Sequence, residues 1–235
     1  MNVQVMIDSI PALLGGTLLT LKLVAVASAI GFVLALGVTA MRLSGRTWLV
    51  APSYAYVFFL RGTPLLVQIY LVYYGLSQFP EIRQSVLWPF LREPWWCALI
   101  AFSMNTSAYV SEVMRGAITA VPLGQIEAAK AIGMPALKRF HKVVAPQAMQ
   151  IGLPAYSNEI ILMVKASSLA STVTLLDLTG VARSLASETY MPVEVLGMAG
   201  IIYLILNFIL TRILRGLEWF FSPRLKSAPG ILAKA

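Results

Sequence analysis

Three groups of residues in this 235-residue chain have types and spacings that suit chemistry, and the chemistry they suit is non-covalent. Gln68, Asn105, Ser107, Tyr109, Asn158 and Glu159 are polar positions inside otherwise apolar segments. Such groups turn toward a bundle interior or a cavity rather than toward lipid. Their amides and hydroxyls offer donors and acceptors. Glu159, the acidic group well inside its segment, offers either a counter-charge for a cation or a salt bridge to Lys165 or another chain. Arg61, just before the weak helical point Gly62-Thr63-Pro64, either anchors to headgroups through its long stem or gates a path. Glu112 and Arg115, three residues apart, share a helix face and suit an ion pair, structural or remade during motion. The third group is Glu127-Ala128-Ala129-Lys130-Ala131-Ile132-Gly133, followed after nine residues by Val143-Val144-Ala145-Pro146.

Several chemistries lack their residues. Cys97 is the one cysteine, so no disulfide forms within the chain, and His141 is the one histidine, which argues against a zinc site. No glycine-rich loop ending in Gly-Lys-Ser/Thr is present. No set reads as catalytic, cofactor-binding or metal-binding. The excess of 18 Lys/Arg over 10 Asp/Glu is not gathered into a stripe, which weakens a nucleic-acid reading.

The elements that must position these groups are membrane helices. With 58% hydrophobic and 12% charged residues and a mean hydropathy of +0.78, the chain is too apolar for an ordinary soluble domain. Five segments suit a hydrocarbon core crossed by about 20 residues: 13–41, 53–76, 95–114, 151–164 and 195–214. The expected fold is all-α and polytopic, one transmembrane domain over 1–222 with a flexible cytoplasmic tail over 223–235. The start, with Asp8 and no basic residue before the first apolar run, does not read as a cleavable signal. Lys22 is expected to snorkel, and Pro11, Pro52, Pro94 and Pro192 to sit near span starts. Tyr70, Tyr73 and Tyr74 either line a path or pack as membrane aromatics. Residues 165–194 read as a connection with short helices.

Charge sets the expected direction. Placing the N-terminus outside puts Arg42, Arg46, Arg115, Lys130, Lys138, Arg139, Lys142, Arg212, Arg215, Arg224, Lys226 and Lys234 inside. Arg83, Arg92 and Arg183 remain outside. The bias predicts N-terminus out and C-terminus in.

On that topology the 119–146 loop is cytoplasmic. Gly133 and Pro135 divide it into two short helices over 125–132 and 136–143, with Glu127 near the first helix's N-terminus. The loop either docks a separate protein or ties two spans together. Its signature resembles that of permease subunits of bacterial ABC importers, where such a loop forms a coupling helix on the ATPase. The matching positions are Glu127, Ala128, Ala129, Gly133, Val143, Ala145 and Pro146. Ala145 is smaller than the leucine common in that family. The segments 59–68, 109–118 and 165–171 resemble polar amino-acid permeases, and the likeness covers roughly 10–220. It is nearest to the M-type subunits of histidine/lysine/arginine/ornithine and opine importers.

The resemblance implies a type I importer permease in the bacterial inner membrane, moving a polar, basic amino acid or an opine without chemical change. It implies two ATPase subunits carrying ATP and Mg, a second and paralogous permease, and an external solute-binding protein. The residues alone also leave open an ion-coupled secondary transporter or a non-transporting scaffold.

Overall fold

The computed structural model describes residues 3–221 and is all-α. The tail expected over 223–235 lies outside the described residues. The first helix, α1, runs over Val3–Leu43. At 1.5 Å per residue it is ~60 Å long, about twice the hydrocarbon thickness. It begins well before the expected span, and Pro11 falls inside it rather than at its start. The extra turns have a tertiary reason to be helical. Val5 and Leu13 pack with Leu178, Val195 and Ala199 of two later helices.

The expected second span is not straight. Helix α2 (Thr47–Gly62) and α3 (Leu65–Tyr70), the latter continuing through a π turn over Leu71–Gly75 to Gln78, meet at 106°. Pro64 disfavours helical backbone at the residue before it, and Thr63 is extended at φ −113 and ψ 143. Pro52 lies within α2, five residues after its start. Two single-turn helices, α4 (Pro80–Arg83) and α5 (Trp88–Leu91), lead to α6 (Pro94–Thr119). Here Pro94 occupies the first turn, where its missing amide donor costs nothing.

Helix α7 (Leu123–Ala131) starts early enough that Glu127 sits in its second turn, which weakens the expected dipole interaction. It ends at Gly133, whose φ of +72 only glycine adopts readily. There the Met134 N–H donates to the Ala129 carbonyl at 3.0 Å and caps the helix. The expected second loop helix is not separate. The turn α8 (Ala136–Arg139) passes through a π turn, Phe140–Val144, directly into α9 (Ala145–Ala166). The fourth apolar element is therefore longer than 151–164.

After α9, a 3-10 stretch over Ser167–Val173 leads to α10 (Leu178–Thr189), bent 49° from it, and then to α11 (Pro192–Phe221). Asp177 caps α10 by accepting from the Gly180 N–H at 3.0 Å and the Thr179 N–H at 3.3 Å. The principal core joins Leu23, Val24 and Ala27 of α1 to Ile69, Phe102 and Val164. Helix α1 lies against α6 at Gly31, where an added Cβ would meet Thr106 at 2.8 Å. The small residue lets the two backbones approach. The exposed Lys22 carries its ammonium 5.3 Å from the Trp95 ring centroid, a cation–π contact.

By length and composition, among the described residues, Gln4–Leu43 and Pro192–Phe221 are each able to cross a membrane alone. The two bent pairs qualify only when each is taken as one span.

Candidate functional site

Where α2 breaks into α3, a cavity of about 420 Å³ opens against α6 and α9. Its walls bring together Arg61, Asn105, Tyr109 and Glu159 from the expected groups, and add Thr63 and Thr106. One fixed cation and one carboxylate thus share a single chamber. The Arg61 guanidinium lies 5.1 Å from the Tyr109 ring centroid, so the aromatic face orients it. Among the described residues no Lys, Arg or His lies within salt-bridge distance of Glu159, so the expected alternative partner Lys165 does not hold it.

Gln68 and Ser107 stand behind this chamber rather than in its wall. Pro64 cannot donate the helical bond that the Leu60 carbonyl would receive. The Gln68 side-chain amide supplies it instead, donating to Leu60 at 2.7 Å and to the Thr63 hydroxyl at 2.9 Å. Its oxygen accepts from Asn105 at 3.1 Å, tying the bend to α6. Gln68→Leu is expected to leave that carbonyl with only the longer 3.5 Å bond from the Asn105 amide and to destabilise the protein by about 1–3 kcal/mol, read as a lower melting temperature in detergent. Ser107 is buried, 2.6 Å from the Tyr56 hydroxyl. Asn158 is exposed and does not line the chamber. Tyr70, Tyr73 and Tyr74 pack on one another edge to face.

Glu112 and Arg115 pair as spaced, the guanidinium donating to the carboxylate at 2.8 Å. The sequence reading missed the third member. Arg42, at the end of α1, reaches Glu112 at 2.8 Å and lies over the Tyr54 ring at 5.1 Å. Its position 70 residues away gave no local signal beyond a basic residue closing an apolar run. Arg42 and Glu112 retain only 11% and 16% side-chain exposure, so the bridge is well shielded. Glu112→Gln is expected to cost about 2 kcal/mol in denaturation experiments, because it leaves two cations sharing one neutral acceptor.

The loop signature is spread over two faces. Glu127, Ala128, Gly133 and Pro146 are exposed, Val143 and Ala145 are half-buried, and Ala129 is buried. Ile126 packs against the small cluster of Ala117, Val121, Val144 and Ala148, which seats α7 on the ends of α6 and α9. Gln147 donates to the Gln125 side chain at 2.6 Å across the same junction. Ile132 and Leu137 project at 76% and 72% exposure. These are apolar groups held out beside the Gly133 turn.

Residues 27–221 match the family described as "Binding-protein-dependent transport system inner membrane component". The chain belongs to this family. The octopine transport system permease protein OccM of Rhizobium radiobacter is 56% identical over 212 residues, 90% of this chain and 86% of that protein. The nopaline transport system permease protein NocM of Agrobacterium fabrum is 45% identical over 231 residues, 98% and 96% of the two chains. A solved structure described as an amino acid ABC transporter with histidines superposes with a TM-score of 0.85 at 33% identity, covering 93% of this chain and 98% of that one.

The permease is thus a multi-pass bacterial inner-membrane subunit of an ABC importer. It is not itself an enzyme; a separate ATPase hydrolyses ATP, and an external binding protein delivers cargo. Membership sets aside the ion-coupled carrier and the scaffold. Among the described residues no three His, Cys, Asp or Glu side chains are grouped to hold a metal.

Proposed function

We propose that this permease imports a polar, cationic amino acid or an opine, and that the Arg61–Glu159 chamber is where the substrate rests during passage. The observation that carries this reading is the pairing of one cation and one carboxylate in the walls of a single cavity. An amino acid with a basic side chain carries both complementary charges. Arg61 meets its carboxylate and Glu159 its cationic end, while Asn105, Tyr109 and the Thr63 hydroxyl serve the polar remainder. The names of the octopine, nopaline and amino-acid relatives support the same class of cargo.

In this reading the chain crosses the membrane five times, N-terminus outside and C-terminus in the cytoplasm. The α2–α3 bend and α9 each contribute to one crossing. A second, paralogous permease completes the path, and two ATPase subunits drive it. The loop holding Glu127, Ala128, Ala129, Gly133, Val143, Ala145 and Pro146 docks on one ATPase. Closure of the ATPases then moves α9 directly, because α8 and α9 are joined without a break. The Arg42–Glu112–Arg115 cluster holds α1 to α6 at the loop end, while Arg61 acts in the chamber as substrate ligand and gate.

The test is uptake into proteoliposomes containing the complete importer, with radiolabelled arginine, histidine, glutamine and octopine compared. Uptake of a cationic substrate that needs ATP and the binding protein supports the proposal. Transport of neutral glutamine in preference to all the others overturns the assignment of Glu159.

A further inference from the structure

The break between α2 and α3 fixes which way the neighbouring side-chain amides face. Pro64 has no N–H to give the Leu60 carbonyl. The Gln68 side-chain nitrogen donates there at 2.7 Å, and also to the Thr63 carbonyl at 3.1 Å and the Thr63 hydroxyl at 2.9 Å. Backbone carbonyls only accept, so the Gln68 amide has one workable orientation. Its oxygen is thereby turned to Asn105, whose own nitrogen must face it and donates at 3.1 Å. Gln68 is buried, which shields this choice from solvent.

The consequence reaches the chamber wall. With the Asn105 nitrogen turned to Gln68 and Leu60, its Oδ1 accepts no hydrogen bond among the described residues and is left for the chamber that Asn105 lines. Thr63, in the same wall, has spent its hydroxyl hydrogen on the Phe59 carbonyl at 2.9 Å. Its oxygen therefore keeps only lone pairs to offer. Asn105, Thr63 and Glu159 thus all present acceptors, and Arg61 is the fixed donor opposite them. The Tyr109 and Thr106 hydroxyls rotate to serve either role.

Granted the chamber proposed for the cargo, we propose that Gln68 is a positioning residue for selectivity. It holds the Asn105 carbonyl oxygen toward the substrate's cationic end. The Glu159 carboxylate recognises charge; a neutral acceptor beside it recognises N–H donors. Together they favour a cation with donors to spare once the carboxylate is satisfied. A guanidinium is such a cation, because its planar fork offers more donors than one carboxylate takes. Without Gln68, only the 3.5 Å bond to Leu60 opposes turnover of the Asn105 amide, and that length is beyond the usual range. Turned over, Asn105 presents N–H groups to a cation and the selectivity is lost.

Equilibrium binding of radiolabelled arginine to the assembled permease–ATPase complex in nanodiscs, with the binding protein omitted, tests this. Unlabelled arginine and Nω,Nω-dimethylarginine are compared as competitors, because the analogue keeps the charge and loses N–H donors. The wild type is expected to favour arginine about tenfold, the scale of one hydrogen bond from a charged donor. Asn105→Leu is expected to bring the two ligands close to parity, and Gln68→Leu to cut the preference to about threefold or less. Gln68→Glu is expected to keep it, because a carboxyl oxygen still faces the Asn105 nitrogen, charged or not. Both Gln68 variants disturb the bonds to Leu60 and Thr63, so a purely structural role would move them alike. Asn105→Leu leaves the Gln68 bond to Leu60 in place and reads the acceptor even if Gln68→Leu does not assemble. Equal affinity for the two ligands in the wild type overturns the proposal. So does an undiminished preference in either leucine variant, or its loss in Gln68→Glu. Glu159→Gln separates the underlying reading: weaker binding of both ligands with the preference kept supports the chamber, whatever the Gln68 variants show. Arginine binding unchanged in Glu159→Gln removes the chamber reading itself, and the role of Gln68 with it.

Discussion

Replacing Glu159 by glutamine is expected to lower uptake of a cationic substrate about ten- to a hundredfold in the reconstituted importer. The side chain lines the polar chamber, and among the described residues no cation pairs with it within salt-bridge distance. In the proposed reading its carboxylate is kept for the cargo. A hydrogen bond between charged partners contributes about 1.5–3 kcal/mol, and each 1.4 kcal/mol is tenfold. Glutamine preserves size and one acceptor but removes the charge, so the loss should depend on the substrate's charge. The decisive comparison is uptake of a cationic against a neutral amino acid, with ATP hydrolysis followed in parallel. A loss confined to the cationic substrate, with basal hydrolysis unchanged, is the expected pattern. An equal loss for both would make Glu159 a structural residue of α9.

The second large effect is expected at Gly133. Its φ of +72 places it in the left-handed region, and an added Cβ would find nothing within 4 Å. The penalty for a side chain is therefore conformational rather than steric, about 1–2 kcal/mol for an L residue. A β-branched residue resists that backbone further. Gly133→Val relieves the strain by abandoning the turn, which breaks the Met134-to-Ala129 bond and re-aims Ile132 and Leu137. If this loop carries ATPase motion into α9, uptake falls about tenfold or more while the subunits still co-purify. Gly133→Ala should give a graded, smaller loss. Uptake that stays normal in Gly133→Val, with the turn shown by hydrogen exchange to have opened, would dismiss the loop as a coupling element.

Much of this molecule was legible before folding was considered. Helical spacing alone paired Glu112 with Arg115, since three residues bring side chains to one face. The turn at Gly133 was readable because glycine beside Pro135 is a local signal. The apolar runs announced membrane helices through composition. Pro64 marked a weak helical point, although the 106° between α2 and α3 was not in the sequence. A proline states that a bond is missing, but neighbouring packing decides how far the chain turns.

What required the tertiary structure was the meeting of distant residues. Gln68 read as part of a substrate path; folded, it repairs the carbonyl that Pro64 leaves without a donor. Arg42 read only as loop charge, and folding brings it to Glu112. Lys22 read as a snorkelling group, and folding supplies the ring its ammonium stands on, Trp95. Arg61 and Glu159 came from different arguments, and only the crossing of α2, α6 and α9 sets them in one chamber. Sequence fixes what each short segment prefers, because those preferences arise within a few residues of backbone. Which segments share a cavity is decided by packing between helices far apart in the chain, where close approach at residues such as Gly31 selects the partner faces.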